Sequence, residues 1–98
     1  MVEEGYVLRY SNLFKKQYKR LARSGNVRAL EETDNVLDYI FHTGSVLPVK
    51  YKNHKLVGEL EGLFECHILP DWLLVYDIDE KENIITFVAL GSHSSLFK

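Results

Sequence analysis

Between Leu63 and Leu90 three mostly apolar runs are separated only by Pro70-Asp71 and by Asp79 to Asn83. Connections this short cannot carry a parallel crossover, which needs a dozen or more residues, so the runs must pair as an antiparallel meander. The first run, Leu63 to Ile68, alternates: Phe64, Cys66 and Ile68 share one face and Glu65 and His67 the other, the pattern of a half-buried strand. Trp72 to Ile78 and Ile84 to Leu90 form the next two strands. Gly91-Ser92 breaks the last, leaving His93 to Phe97 as a short tail whose Leu96 and Phe97 should pack back on the body.

A meander with one apolar face needs a cover, and the first half of the chain supplies it. Gly5 to Tyr10 is aromatic and β-branched and reads as a strand ending at Ser11, a helix N-cap residue. From Leu13 the period becomes helical, with Phe14, Tyr18, Leu21 and Ala22 on one face and Lys15, Lys16, Lys19, Arg20 and Arg23 on the others. Ser24-Gly25-Asn26 ends this helix and caps a second, which should run to about Phe41 and bury Leu30, Thr33, Leu37, Ile40 and Phe41. Ser45 to Gly62 has no clear period and holds Pro48, two glycines and the lysines Lys50, Lys52 and Lys55 around His54, so it reads as a long loop. The expected architecture is α+β: strand, helix, helix and three strands, with two helices packed on an antiparallel sheet in a single domain spanning 1–98.

Charge is segregated along the chain. The formal net charge is only −2, which argues against a bulk polyanion binder, and 46% hydrophobic residues argue against disorder. Yet from Arg9 to Arg28 there are seven cations and no carboxylate, and Glu31, Glu32, Asp34 and Asp38 follow immediately. The lone Cys66 rules out an intrachain disulfide and fits a reducing cytosol, with its inward alternation marking it as a small core residue rather than a nucleophile. The acidic start Met1-Val2-Glu3-Glu4 is unlike a signal peptide, and no apolar stretch approaches the length of a membrane span, so a cytoplasmic location is expected.

Three of the four histidines fall near one end of the meander. His67 and Asp71 flank the first hairpin turn, His93 follows the strand expected to pair beside Trp72, and His54 on the long loop reaches the same place. Such a set suits metal-free cleavage of RNA: one group takes the 2′-OH proton, another protonates the leaving 5′ oxygen, and the lysines offset phosphate charge. Zinc ligation by the same residues is disfavoured, since their spacing lacks a compact metal motif and the lysines repel a cation. His42, at the end of the second helix, is explained by the helix dipole and stands outside the set. Trp72 reads as a core residue.

The stretches His54-Lys55-Leu56 with Gly58, Glu65-Cys66-His67-Ile68-Leu69-Pro70-Asp71-Trp72-Leu73-Leu74-Val75-Tyr76, and Gly91-Ser92-His93-Ser94-Ser95-Leu96-Phe97 closely resemble the YafQ group of the RelE superfamily of bacterial toxins. The resemblance implies a RelE-like fold and a toxin of a type II toxin–antitoxin system that cleaves translated mRNA in the ribosomal A site without a metal or other cofactor. It implies as partners the ribosome, mRNA and a DinJ- or RelB-like antitoxin, with operator DNA reached only through that antitoxin. On the resemblance, the active site maps to His54, His67, Asp71, His93 and Phe97. His93 is then the general acid, Asp71 or His54 the base, His67 a phosphate contact, and Phe97 a residue that orders the tail and a neighbouring base. Lys50, Lys52 and Lys55 would contact phosphates, and the basic helix would face the ribosome. One position departs from the pattern: relatives commonly carry arginine where this chain has Ala89, so the lysines must compensate or cleavage is weak. A non-enzymatic inhibitor of the same fold, or a weakened toxin that still binds its antitoxin, is the alternative.

Overall fold

Ser11 shows how local sequence is tied to the tertiary fold. Its Oγ accepts from the Phe14 N–H at 2.9 Å, capping the first helix, and donates to the Val88 carbonyl at 2.6 Å, which fastens that helix to the last strand. In this computed structural model, which describes residues 5–97, the elements are β1 (Val7–Tyr10), α1 (Asn12–Arg23), α2 (Val27–Thr43), β2 (His54–Lys55), β3 (Phe64–Leu69), β4 (Trp72–Asp79), β5 (Ile84–Gly91) and the short α3 (His93–Leu96). Asn26 caps α2 by accepting from the Ala29 N–H. Gly44, at φ 67°, ends α2 in a conformation that favours glycine.

The five strands lie in the order β1-β5-β4-β3-β2. β3, β4 and β5 form the expected antiparallel meander, but β1 pairs in parallel with β5, making the sheet mixed. The two helices form the long connection that returns the chain to the sheet, so β1 can lie alongside β5 in the same direction. The segment expected as a featureless loop also carries structure: single helical turns at Val49–Tyr51 and Gly58–Leu60 flank β2, which extends the sheet beside β3. Buried anchors order it. Tyr51 is buried, and the wholly buried Tyr76 donates its hydroxyl to Asn53, whose amide donates to the Ser45 carbonyl.

Both helices and the apolar face of the sheet enclose the core, where Phe14, Leu21, Val36 and Ile40 meet Cys66, Ile68, Leu74, Tyr76, Ile85, Phe87 and Leu90. The buried stripe of α2 is Ala29, Thr33, Val36 and Ile40; Leu30, Leu37 and Phe41 lie half-buried at its edges, and Ala22 of α1 is exposed. Small residues at 29, 33 and 36 let α2 approach the sheet closely, which turns the bulkier leucines to its flanks, a choice that periodicity weighted by residue size does not reveal. Trp72 is a half-buried core residue whose indole donates to the Thr33 hydroxyl at 3.2 Å.

Candidate functional site

Alternation along β3 places Cys66 and Ile68 in the core and Glu65 and His67 on the face turned away from it. In the pairing of β2 with β3, His54 is directly opposite Glu65. The sequence alone did not single out this glutamate. It is buried, with its Oε1 3.2 Å from His54 Nε2 and 3.7 Å from His67 Nε2, and so holds two imidazoles together on one carboxylate. The signal was its place two residues before His67 in an alternating strand; an apolar-or-polar reading sees only a solvent-side charge there.

His54 is fixed at both ring nitrogens. Nδ1 lies 2.9 Å from the Lys52 carbonyl, an acceptor only, so the proton sits on Nδ1 in that contact. Nε2 then faces the Glu65 carboxylate, and a hydrogen bond there needs a second proton shared between ring and carboxylate. Replacing Glu65 with alanine removes the common acceptor of both rings. Because water can reach the half-exposed His54, we expect a loss of about 1 kcal/mol in urea unfolding, with Glu65→Gln, which keeps an acceptor oxygen, falling between. A stability equal to wild type in Glu65→Ala would refute this role.

A second group of residues is built by the β3–β4 turn and the tail. Asp71 Oδ1 accepts from the His93 backbone N–H at 3.0 Å, and the rings of His93 and Phe97 meet edge to face at 5.3 Å. Asp71 therefore orders the first turn of α3 through the main chain. Among the described residues no hydrogen bond or ion pair joins Asp71 to an imidazole, and the carboxylate paired with His54 and His67 is Glu65. Gly91 lets the tail lie close to the strand end, because a Cβ there would stand 2.7 Å from Ser95 Oγ and turn that hydroxyl aside. The two groups share one end of the sheet: His67 is in register with Leu73, and Leu73 with Gly91, so two strand spacings of about 4.8 Å separate His67 from the strand end that carries His93.

Lys50 and Lys52 line a cleft with His67, whereas Lys55 lies on β2 with its ammonium 5.6 Å above the Phe64 ring. Lys15, Lys16, Lys19, Arg20 and Arg23 are all exposed on α1, and Arg20 borders the same hollow as Ser92 and Ser95 of the tail. Ala89 is in register with Val75, and Val75 with Glu65, so this row of the face carries no cation at β4 or β5. Cys66 is wholly buried; burial, helped by the Glu65 charge, pushes its thiol up to about 12, as suits a core residue. His42 pairs with Asp38 at 3.5 Å on the exposed side of α2, away from both groups. Among the described residues, no group of three or more His, Cys, Asp and Glu side chains converges as a metal site, and no helix is long and apolar enough to cross a membrane.

The chain is similar to known proteins over nearly its whole length. A family model described as the bacterial toxin of the type II toxin–antitoxin system, YafQ, matches residues 6–98. The mRNA interferase toxin YafQ of Escherichia coli K12 is 29% identical over 92% of this chain and 94% of its own. Among solved structures, the E. coli DinJ–YafQ toxin–antitoxin complex superposes with a TM-score of 0.80 at 25% identity, covering 96% of this chain and 99% of that one. A metal-bound toxin from Helicobacter pylori is 40% identical with a TM-score of 0.74, covering 94% and 99%.

Proposed function

Because the chain belongs to the YafQ family of bacterial toxins of type II toxin–antitoxin systems, we propose that it is an endoribonuclease that cuts mRNA on the translating ribosome in the cytoplasm and is silenced by a DinJ-like antitoxin. The observation that carries this reading is the placement of His54, His67, Asp71, His93 and Phe97 at one end of the sheet, with His67 in a cleft also lined by Lys50 and Lys52.

In the proposed reaction the ribose 2′-oxygen attacks phosphorus and the P–O5′ bond breaks, giving a 2′,3′-cyclic phosphate and a free 5′-OH. Asp71 is the better base of the two candidates: one carboxylate oxygen holds the tail while the other stays available, whereas both nitrogens of His54 are already engaged. His93, exposed at the start of α3, delivers a proton to the leaving 5′ oxygen. His67, steadied by Glu65, contacts the phosphate, and Phe97 braces the His93 ring and stacks on a base. These groups supply every proton transfer the reaction needs, so the proposal draws it without a metal.

Mapping mRNA 5′ ends by primer extension during cell-free translation, with wild type and His93→Ala, tests the reading. New in-frame ends made only by the wild type and only during translation are expected. If a folded wild type makes none, the neutral Ala89 row favours a toxin that binds its antitoxin without cutting, and Ala89→Arg becomes the informative variant.

The outward basic face of α1 is proposed to dock on ribosomal RNA, and an acidic antitoxin segment covering it would block that contact. Changing Lys15, Lys16, Lys19 and Arg20 to glutamate should reduce co-sedimentation with ribosomes by more than about tenfold at moderate salt; unchanged co-sedimentation would remove α1 from the interface.

A further inference from the structure

We propose that the cleft between the start of α2 and the free edge of β3 is a second phosphate-binding subsite, in which Arg28, Lys50 and Lys52 hold the RNA strand that flanks the cleaved bond. The inference rests on the ribonuclease reading and adds to it a path for the substrate and a residue, Arg28, outside the set described above.

The cleft exists because β2 is short. It pairs with β3 only at Phe64 and Glu65, so beyond Glu65 the outer edge of β3 is uncovered by a strand. The helical turn Val49–Tyr51 and the first turns of α2 stand across from that edge and enclose about 360 Å³, within the range of small-ligand clefts. Arg28, Lys50 and Lys52 face the space with His67, while Leu69 and Pro70 form an apolar wall. None of the three cations makes an ion pair with a carboxylate among the described residues; Glu32, which lines the same cleft, instead accepts from the Tyr51 hydroxyl at 3.4 Å. Three cations against the single carboxylate of Glu32 leave the cleft with a net positive charge, which an anion seated there offsets.

Three features give the anion its identity. His67 belongs to both the cleft and the Glu65 cluster, so a polymer passing over His67 runs from one into the other. Val75 and Ala89 leave the rest of the Glu65 row neutral, so the cations beside His67 are those of the cleft. An apolar wall beside guanidinium and ammonium groups suits a nucleotide, whose sugar and base edge need a surface as its phosphate needs charge.

The test uses the isolated protein and a 5′-fluorescein RNA of about eight nucleotides, 2′-O-methylated so that it cannot be cut, followed by fluorescence anisotropy across a salt series. Replacing Arg28, Lys50 and Lys52 together with glutamine, in a protein shown to be folded by circular dichroism, should weaken binding about tenfold near 0.1 M salt and flatten the log K against log salt slope by about 2. Lys81→Gln, in the remote β4–β5 turn, removes charge elsewhere and should bind as wild type. Wild-type affinity and slope in the triple variant would overturn the proposal, as would no measurable wild-type binding at about 50 mM salt. Loss of affinity for an acidic antitoxin peptide with RNA binding intact would also overturn it, assigning the cleft to the antitoxin. No ribosome or cleavage is involved, so a wild type that binds through the cleft but never cuts would fail the ribonuclease reading alone.

Discussion

His93→Ala is expected to lower mRNA cleavage by about 10²- to 10⁴-fold, the usual contribution of a positioned general acid or base, while leaving the melting temperature near that of wild type. Both halves of the expectation come from the same geometry. His93 is exposed, its ring touches Phe97, and the bond that orders its turn uses the backbone N–H to Asp71, which alanine retains. The fold therefore loses one edge-to-face contact on an exposed ring, at the low end of the roughly 0.5–1.5 kcal/mol such pairs contribute and so about 2–4 °C in melting temperature. Cleavage within about threefold of wild type would move the leaving-group proton to another residue. A large fall in melting temperature would instead mean that the imidazole holds the tail.

Phe87→Ala should give the largest stability loss in the chain. The ring is wholly buried, with its centroid 5.6 Å from both Tyr10 and Phe14 and 6.5 Å from Tyr76, so it joins β1, α1, β4 and β5 at one point. Truncating a buried phenylalanine costs about 3–5 kcal/mol, against a total of about 5–15 kcal/mol for a domain of this kind. At about 4–8 °C per kcal/mol for this size, the melting temperature should fall by more than about 12 °C. A fall below about 5 °C would show that the neighbouring rings collapse into the cavity. Phe87→Leu keeps most of the volume and should cost well under half as much.

Much of the fold is legible from local rules. The short polar breaks at Pro70-Asp71 and Asp79 to Asn83 force an antiparallel meander, and Ser11 and Asn26 announce the helix starts that they cap. The order of β1 is different in kind. The short run Val7 to Tyr10 specifies a strand but not its neighbour, and its parallel place beside β5 depends on how α1 and α2 lie across the sheet. The segment from Ser45 to Gly62 lacks periodicity because it is ordered one residue at a time, by Tyr51 in the core and by Asn53 beneath Tyr76.

The sequence by itself determined the chemical inventory and its approximate address: His54, His67, Asp71 and His93, a tail ending in Phe97, and a basic first helix, because turn chemistry and strand alternation act over a few residues. Only the tertiary structure decided how these groups are divided. Pairing of a two-residue strand with β3 sets Glu65 between His54 and His67, leaves Asp71 to the His93 backbone, and opens the cleft in which Arg28 joins Lys50 and Lys52. Cross-strand register and strand length are properties of the assembled sheet, fixed by core packing and by the anchoring of distant segments, and no local pattern around Glu65 or Arg28 encodes them.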